Sequence, residues 1–568
     1  MRRPRFRLSE SNLLVVLAVA IGIAVGLTAV GLEELLEVFR TSFFWIADRF
    51  TFLGDYRIVV APVLGALLAG PLVYRLAREA KGHGVPEVME AVALRGGRIR
   101  PRVAAVKTMA SALTIGSGGS AGREGPIVQI GATIGSTIGQ VFRMSERRMR
   151  TLVAAGAAGG VAAAFNAPLA GVFFALEVIL QRFTARGFAT VVLSAVTASV
   201  VWRAFFGNAP VFAVPFYSLR HPVELVFYVA LGVAAAVVAA LFVRILYWIE
   251  DRFEALPGPG DLKPALGAVV TGLLGVWSLL VLGSGIEGTN LALSGELAVS
   301  TLLLLLGAKI VATSFSLGSG GSGGVFSPSL FLGAMLGGAL GHAVHVAFPN
   351  VTATEGAYAL VGMGAVFAAA AQAPMTSILI IFEMTNDFRI MLPLMLAVVT
   401  ATITYQLISR DSIYLAKLRR RGVDLEQGRE LHLLETLLVS QAVDRAPEVL
   451  RLPATMEAAA ELLERSEHDI VLVTPTGRKL GGAIYPQTIR AALGKGSEEV
   501  EDVVLRDVPT VTVRDTLDAA LRKLTVRDLE ALPVVDGEGR IVGVATREAI
   551  MRAYRNALIE HERGAARS

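Results

Sequence analysis

The 568-residue chain is 54% hydrophobic and only 18% charged, with a mean hydropathy of +0.59. A soluble globular chain carries roughly 25% charged residues, so these proportions exclude a large soluble enzyme and imply a polytopic membrane protein. The absence of cysteine removes disulfides, thiol catalysis and thiolate-held zinc or iron–sulfur clusters, and seven scattered histidines without an HExxH pattern give no expectation of a metal site.

In chain order, a basic tail (Arg2, Arg3, Arg5, Arg7) over residues 1–11 precedes the apolar run Leu13–Leu32, which is long enough to span a bilayer and lacks a clear cleavage site. It reads as an uncleaved first helix. Further basic clusters stand between apolar runs (Arg95, Arg98, Arg100, Arg102; Arg143, Arg147, Arg148, Arg150) and after the last one (Lys417, Arg419, Arg420, Arg421). Clusters of this kind mark cytoplasmic loops. The expected location is therefore the cell membrane, with several passes and both termini cytoplasmic; nucleic-acid binding is not expected.

The apolar segments are not uniform. Leu13–Leu32 and Pro222–Ile249 are long, whereas 103–117, 124–140 and 151–180 are short or interrupted by Gly, Ser and Pro. Irregular backbone at membrane depth is tolerated only where protein or a cavity covers it, and paired interrupted segments in two halves point to a transporter site built from broken helices. A repeat supports this. Lys107–Gly135 aligns without gaps to Lys309–Gly337, sharing the Lys, a GSGGS run, Gly122 with Gly324, and Pro126 with Pro328. Downstream, Gly156–Glu177 aligns to Gly362–Glu383, sharing Ala167-Pro168 with Ala373-Pro374 and the final Glu. The membrane region, 12–420, thus has two related halves at about 12–205 and 222–408.

Three Gly-rich turns each lead into an apolar helix: KGHGVPE (Lys81–Glu87), GSGGSAGREGP (Gly116–Pro126) and GSGGSGGVFSP (Gly318–Pro328). Helix N-termini attract anions through unpaired N–H groups and the helix dipole. Three aimed at one place would form an electropositive site with few fixed cations, which suits a permeating anion. A nucleotide-binding loop is excluded because GxxxxGK[ST] is absent. Arg123 and Glu124 are ionisable at membrane depth and so are functional candidates, with a structural ion pair as the alternative. A divalent-cation transporter would need a carboxylate cluster, whereas Glu124, Glu177 and Glu383 are isolated; a hydrolase motif is also lacking.

From about 420 the chain turns polar. After a linker at 421–437, segments 438–495 and 501–560 each hold a copy of a strand–helix–strand–turn–strand–helix pattern, clearest in TLDAALRKL, LPVVD, GEG, RIVGVAT and REAIMRAY.

The motifs Gly82-His83-Gly84-Val85-Pro86, Gly122-Arg123-Glu124-Gly125-Pro126 and Gly324-Val325-Phe326-Ser327-Pro328, with Tyr414 after the last apolar run, resemble the four signature regions of the CLC chloride channel/transporter family. FNAPLAGVFFALE and AAQAPMTSILIIFEMTND are similar to further family segments, and the tail looks like a CBS pair. The resemblance implies an all-α polytopic fold of two inverted-topology repeats with broken helices, plus an α/β cytoplasmic CBS pair. It implies a homodimer in the lipid bilayer with one pathway per subunit for chloride or a similar anion, and no cofactor beyond that permeant ion. Glu124 matches the gating glutamate. The anion would meet His83, Gly84, Arg123, Gly125, the backbone of Val325 and Phe326, and Tyr414, and Lys107 matches a buried pore-associated lysine.

Two positions depart from the family pattern. His83 stands where a serine is common, which leaves anion preference open. Val178 stands where proton-coupled exchangers carry an internal glutamate, and valine cannot accept a proton. The expectation is therefore a passive, Glu124-gated channel, with a proton-coupled chloride/anion antiporter as the alternative. In the CBS pair, adenine-nucleotide binding would call for an Asp three residues after a Thr or Ser. Ala549 follows Thr546 at that spacing, and the first copy has neither residue. A structural or dimerising role is favoured.

Overall fold

The computed structural model describes residues 10–181, 185–208, 212, 217, 219–423, 434, 437–475, 477–493 and 500–565. Most of the expected tail 1–11 and linker 421–437 lies outside the described residues, as does the end of the first soluble copy. The chain forms two compact units, Met1–Val423 and Asp424–Ser568.

The first unit is helical. Its first half contains α1 (Glu10–Ala47), α2 (Val60–Leu76), α3 (Val85–Leu94), α4 (Arg102–Gly116), α5 (Glu124–Val141), α6 (Glu146–Phe165), α7 (Pro168–Phe174) and α8 (Ala185–Phe206). The second contains α9 (Leu225–Ala255), α10 (Lys263–Trp277), α11 (Ile286–Leu293), α12 (Val299–Gly318), α13 (Phe326–Ala347), α14 (Glu355–Ala371), α15 (Pro374–Thr385), α16 (Met391–Ile408) and α17 (Ile413–Arg420). Seven helices among the described residues are long and apolar enough to cross a membrane. Others, such as α3 and α7, are too short to span.

The repeat seen in the sequence is a repeat of contacts. Gly131 of α5 packs on the Gly156 carbonyl of α6, and Gly333 of α13 on the Gly362 carbonyl of α14, so both helix pairs approach backbone to backbone. Each half then breaks at a left-handed residue before Ala-Pro, at Asn166 (φ 54°) and at Gln372 (φ 51°). Proline cannot continue the preceding helix but suits the first turn of the next one.

These breaks expose two helix N-termini, and each is capped by a carboxylate from the opposite half. Glu177, in the segment Ala175–Leu180 that follows α7, accepts hydrogen bonds from Met375 N–H (3.1 Å), Thr376 N–H (2.8 Å) and Thr376 Oγ1–H (2.6 Å) at the start of α15. Glu383 accepts from Leu169 N–H (2.9 Å) and Ala170 N–H (2.7 Å) at the start of α7. The shared glutamate of the repeat is therefore a reciprocal clasp between halves, placed where orphan N–H groups and the helix dipole favour negative charge.

The second unit contains strands β1 (Val443–Asp444), β2 (Val449–Arg451), β3 (Val471–Thr474), β4 (Gly482–Ile484), β5 (Ala531–Val535) and β6 (Ile541–Thr546). One sheet has the order β2-β3-β4 and the other β1-β6-β5. Helices Met456–Arg465 and Leu517–Arg527 begin at Thr455 and Thr516, whose hydroxyls accept from Ala458 N–H and Ala519 N–H. The two copies are not consecutive blocks: β1 lies within the segment expected for the first copy, yet pairs antiparallel with β6 of the second. The start of the second copy makes isolated bridges in place of a first strand, Leu505 with Ala483 of the first copy and Val511 with Val534.

Glu177→Ala should cost about 3 kcal/mol of stability, because charge-assisted hydrogen bonds contribute about 1.5–3 kcal/mol each and buried donors lose their acceptor. A lowered thermal unfolding midpoint in detergent, smaller for Glu177→Gln, is the expected result; an unchanged midpoint in Glu177→Ala would remove the clasp from the account.

Candidate functional site

The two long Gly-rich loops meet. Gly122 N–H donates to Gly324 O (2.8 Å), and Gly324 N–H donates to Gly122 O (2.6 Å). Gly122 and Gly324 are equivalent in the repeat, so this antiparallel pair lies on the axis relating the halves. The loop before α3 joins them: Gly82 N–H donates to Gly321 O (3.0 Å), and Gly323 N–H donates to Gly82 O (3.2 Å). Serines secure the arrangement reciprocally. Ser120 Oγ meets Thr313 Oγ1 (3.0 Å) and Ser322 Oγ meets Ser111 Oγ (2.9 Å).

Helices α3, α5 and α13 start from these loops. Glu124, the first residue of α5, is 2% exposed. Its carboxylate accepts from Ser327 Oγ–H (2.5 Å) and from Ser327 N–H (3.4 Å) in the first turn of α13. A carboxylate thus sits over a helix N-terminus, the place where an anion would bind. Gly122 is required here, since a Cβ would strike Glu124 Oε2.

The other expected residues fall into two groups. Val325 caps α13 and Phe326 starts it, where the first N–H groups have no intrahelical partner. The Phe326 ring stacks on Phe367 (3.9 Å between centroids) and lies near Phe165 and Phe174, so the ring is taken up by packing. Gly125 packs on the His83 carbonyl and Gly324, and Gly84 on Gln129. His83 is buried, with its ring centroid 6.0 Å from that of Tyr414. Tyr414 is buried as well and lies within electrostatic range of Glu124.

Arg123 and Lys107 do something else. Arg123 pairs with Glu33 of α1, reaches Ala164 O (3.4 Å) and lies over the Trp202 ring at 5.5 Å. Its guanidinium is engaged by Glu33 of α1 and the Trp202 ring of α8, contacts that fit a positioning role. Lys107 donates to Ala80 O (3.0 Å) and Gly82 O (2.6 Å), fixing the loop that carries His83. Its repeat partner Lys309 does the same with Val281 O (2.9 Å) and Gly283 O (2.8 Å). Both are loop clamps.

Val178 is buried, and the neighbouring Glu177 is committed to the clasp described above. Three residues escaped the sequence reading. Ser327 lay within a quoted motif, and its hydroxyl was the available signal. Tyr247, in contact with His83 at 3.1 Å, is one aromatic in the long apolar run of α9 and carried no signal. Glu33 also lies in an apolar helix, as an acidic residue whose partner is distant in sequence.

Comparison with known proteins agrees with this geometry. The family model "Voltage gated chloride channel" matches residues 65–406, and the "CBS domain" model matches 500–556. The chain is 37% identical over 370 residues to a "Putative chloride channel protein ClcB-like" of Ralstonia nicotianae, covering 64% of this chain and 86% of that one. It is also 37% identical over 377 residues to an "H(+)/Cl(-) exchange transporter ClcA" of Vibrio parahaemolyticus, covering 64% and 80%. Among solved structures, a slow cyanobacterial Cl-/H+ antiporter matches with a TM-score of 0.66 and 26% identity, over 72% of this chain and 97% of that one. A eukaryotic CLC transporter matches in fold with a TM-score of 0.62 and 23% identity, over 95% and 99%. With its paired Gly-rich loops and a carboxylate at their junction, this chain belongs to the voltage-gated chloride channel (CLC) family of anion transporters and carries a C-terminal CBS region.

Proposed function

We propose that this chain is a proton-coupled chloride/anion antiporter in which Glu124 exchanges places with the anion. The observation that carries the reading is the Glu124 carboxylate resting on Ser327 at the start of α13. A protonatable group occupies an anion's position, so protonation, which removes its charge, and anion arrival both favour its departure. Val178 alone favours a passive channel; the names of the Vibrio relative and of the cyanobacterial neighbour weigh toward exchange, and exchange replaces the channel as the leading reading.

The Val178 position still limits the route. The turn at 175–180 offers Glu177, whose carboxylate is bound by three donors, and Val178, which carries no proton. Proton delivery opposite Glu124 therefore runs through other groups or water. The anion would be held by backbone N–H groups of Val325 and Phe326 and by the Tyr414 hydroxyl, with Gly84 and Gly125 allowing close approach. The working unit is a homodimer with cytoplasmic termini and one pathway per subunit.

The CBS pair is assigned a structural role. Thr546 Oγ1 accepts from Ala549 N–H (3.0 Å) and so caps its own helix, and Tyr485 donates from its hydroxyl to Ala531 O (3.1 Å), linking the two copies. Neither turn has an acidic residue at the ribose position, where Thr488 and Ala549 stand.

In vesicles with an outward chloride gradient and a clamped membrane potential, the unmodified protein should move protons uphill. Chloride flux without proton movement would return the channel reading. Glu124→Gln should abolish proton movement and the pH dependence of flux while anions still pass, read as chloride efflux from pH 5 to 8. Unchanged coupling in that variant would remove Glu124 from the mechanism.

A further inference from the structure

His83 departs from the family pattern, and its hydrogen bonds define which nitrogen carries the proton. The ring is 2% exposed. Nε2 lies 3.1 Å from the Tyr247 hydroxyl. That hydroxyl has one proton and donates it to the Ile413 carbonyl, which can only accept. Tyr247 therefore receives from Nε2, and Nε2 carries the hydrogen. A neutral imidazole has a single N–H, so Nδ1 is left with a bare lone pair. Nδ1 is also buried and has no hydrogen-bond partner among the described residues.

A lone pair repels an anion, whereas an N–H attracts one. We propose that His83 takes up a proton at Nδ1 together with the anion, so that imidazolium and anion enter and leave the site as a pair, with Tyr247 enforcing the linkage. The proposal rests on the anion-site reading above and not on whether transport is coupled.

The charges around the ring strengthen the linkage. Lys107 of α4, Lys417 of α17 and Arg421 just beyond it all act on His83. Glu250 of α9 pairs with Lys417 at 2.9 Å, and Glu87 of α3 pairs with Arg421. Among the described residues Lys107 donates to carbonyls, and Arg420, 5.2 Å over the Tyr247 ring, pairs with Asp251 at 2.9 Å. Glu124 of α5 stands beyond Tyr414. Lys417, Arg421 and Arg420 each face a carboxylate, whereas Lys107 is held by carbonyls, so an imidazolium adds a second cation with no carboxylate paired to it. An anion beside it offsets that charge, so each ligand raises the affinity for the other.

The test uses full-length purified protein carrying Glu124→Gln, which removes the other protonatable group of the site. Chloride is titrated calorimetrically from about pH 6 to 8 in buffers of different ionisation enthalpy, which reports proton uptake. Chloride affinity should fall about tenfold per pH unit on the alkaline side, with about one proton taken up per chloride. Adding His83→Asn should flatten the profile and end proton uptake. Tyr247→Phe releases the tautomer, lets neutral His83 donate from Nδ1, and should make the slope shallower. Chloride binding with flat affinity in Glu124→Gln would overturn the proposal and leave the anion site standing, as would a slope that survives His83→Asn. Loss of chloride binding at every pH would overturn both. The proton count in Glu124→Gln and the Tyr247→Phe slope keep the test decisive if the double variant does not fold.

Discussion

The pair of hydrogen bonds between Gly122 and Gly324 is the joint on which the membrane unit depends. It joins one residue to its own repeat equivalent, so the two halves are fixed along the axis that relates them. Helices α5 and α13 begin two residues beyond the joint, at Glu124 and Phe326. Their N-termini therefore face a common place by construction. Because the joint is backbone to backbone, it leaves no room for side chains, and glycine on both sides follows from that closeness.

Around this axis the contacts repeat. Lys107 and Lys309 each clamp the loop of their own half, Ser120 and Ser322 bond across to the other half, and Glu177 and Glu383 cap each other's half-helices. The buried ammonium and carboxylate groups are satisfied by fixed backbone dipoles and hydroxyls, which is how charge is tolerated inside a membrane protein. Function arises where the symmetry fails. Glu124 and Phe326 occupy equivalent positions, one with a carboxylate and one with a buried ring. Two matched helix N-termini thus receive a single protonatable group, and that group reaches across to Ser327 on the half that lacks one.

The same architecture separates positions that look alike in sequence. Arg123 and Glu124 are neighbours, yet the guanidinium turns to Glu33 and Trp202 while the carboxylate turns to α13. Consecutive residues at a helix start project about 100° apart, and here that rotation sends the guanidinium to α1 and α8 and the carboxylate to α13. Glu177 and Val178 divide in the same way, one into the clasp and the other into apolar packing.

Much of this was legible in the sequence. Hydropathy required a membrane, because apolar segments of that number have no other way to be buried. The Lys107/Lys309, Pro126/Pro328 and Glu177/Glu383 matches revealed two halves, because each half had to solve the same backbone problems at the same spacing. The Gly-rich turns before helices marked the three loops that the fold brings together, because glycine runs that open helices are a local property. The order of the CBS strands was not legible: β1 pairs with β6 a hundred residues away, and pairing registers of short strands leave no local signature. Nor was the division between the residues at the loop junction and the clamps behind it. Ionisable residues announce that they need partners, but which partner each one finds depends on segments such as α1 and α9, distant in sequence and brought near only by packing. The tautomer of His83 belongs to this second class. A histidine in a Gly-rich turn is visible in the chain, whereas the Tyr247 hydroxyl that directs its proton is supplied only by the folded position of α9.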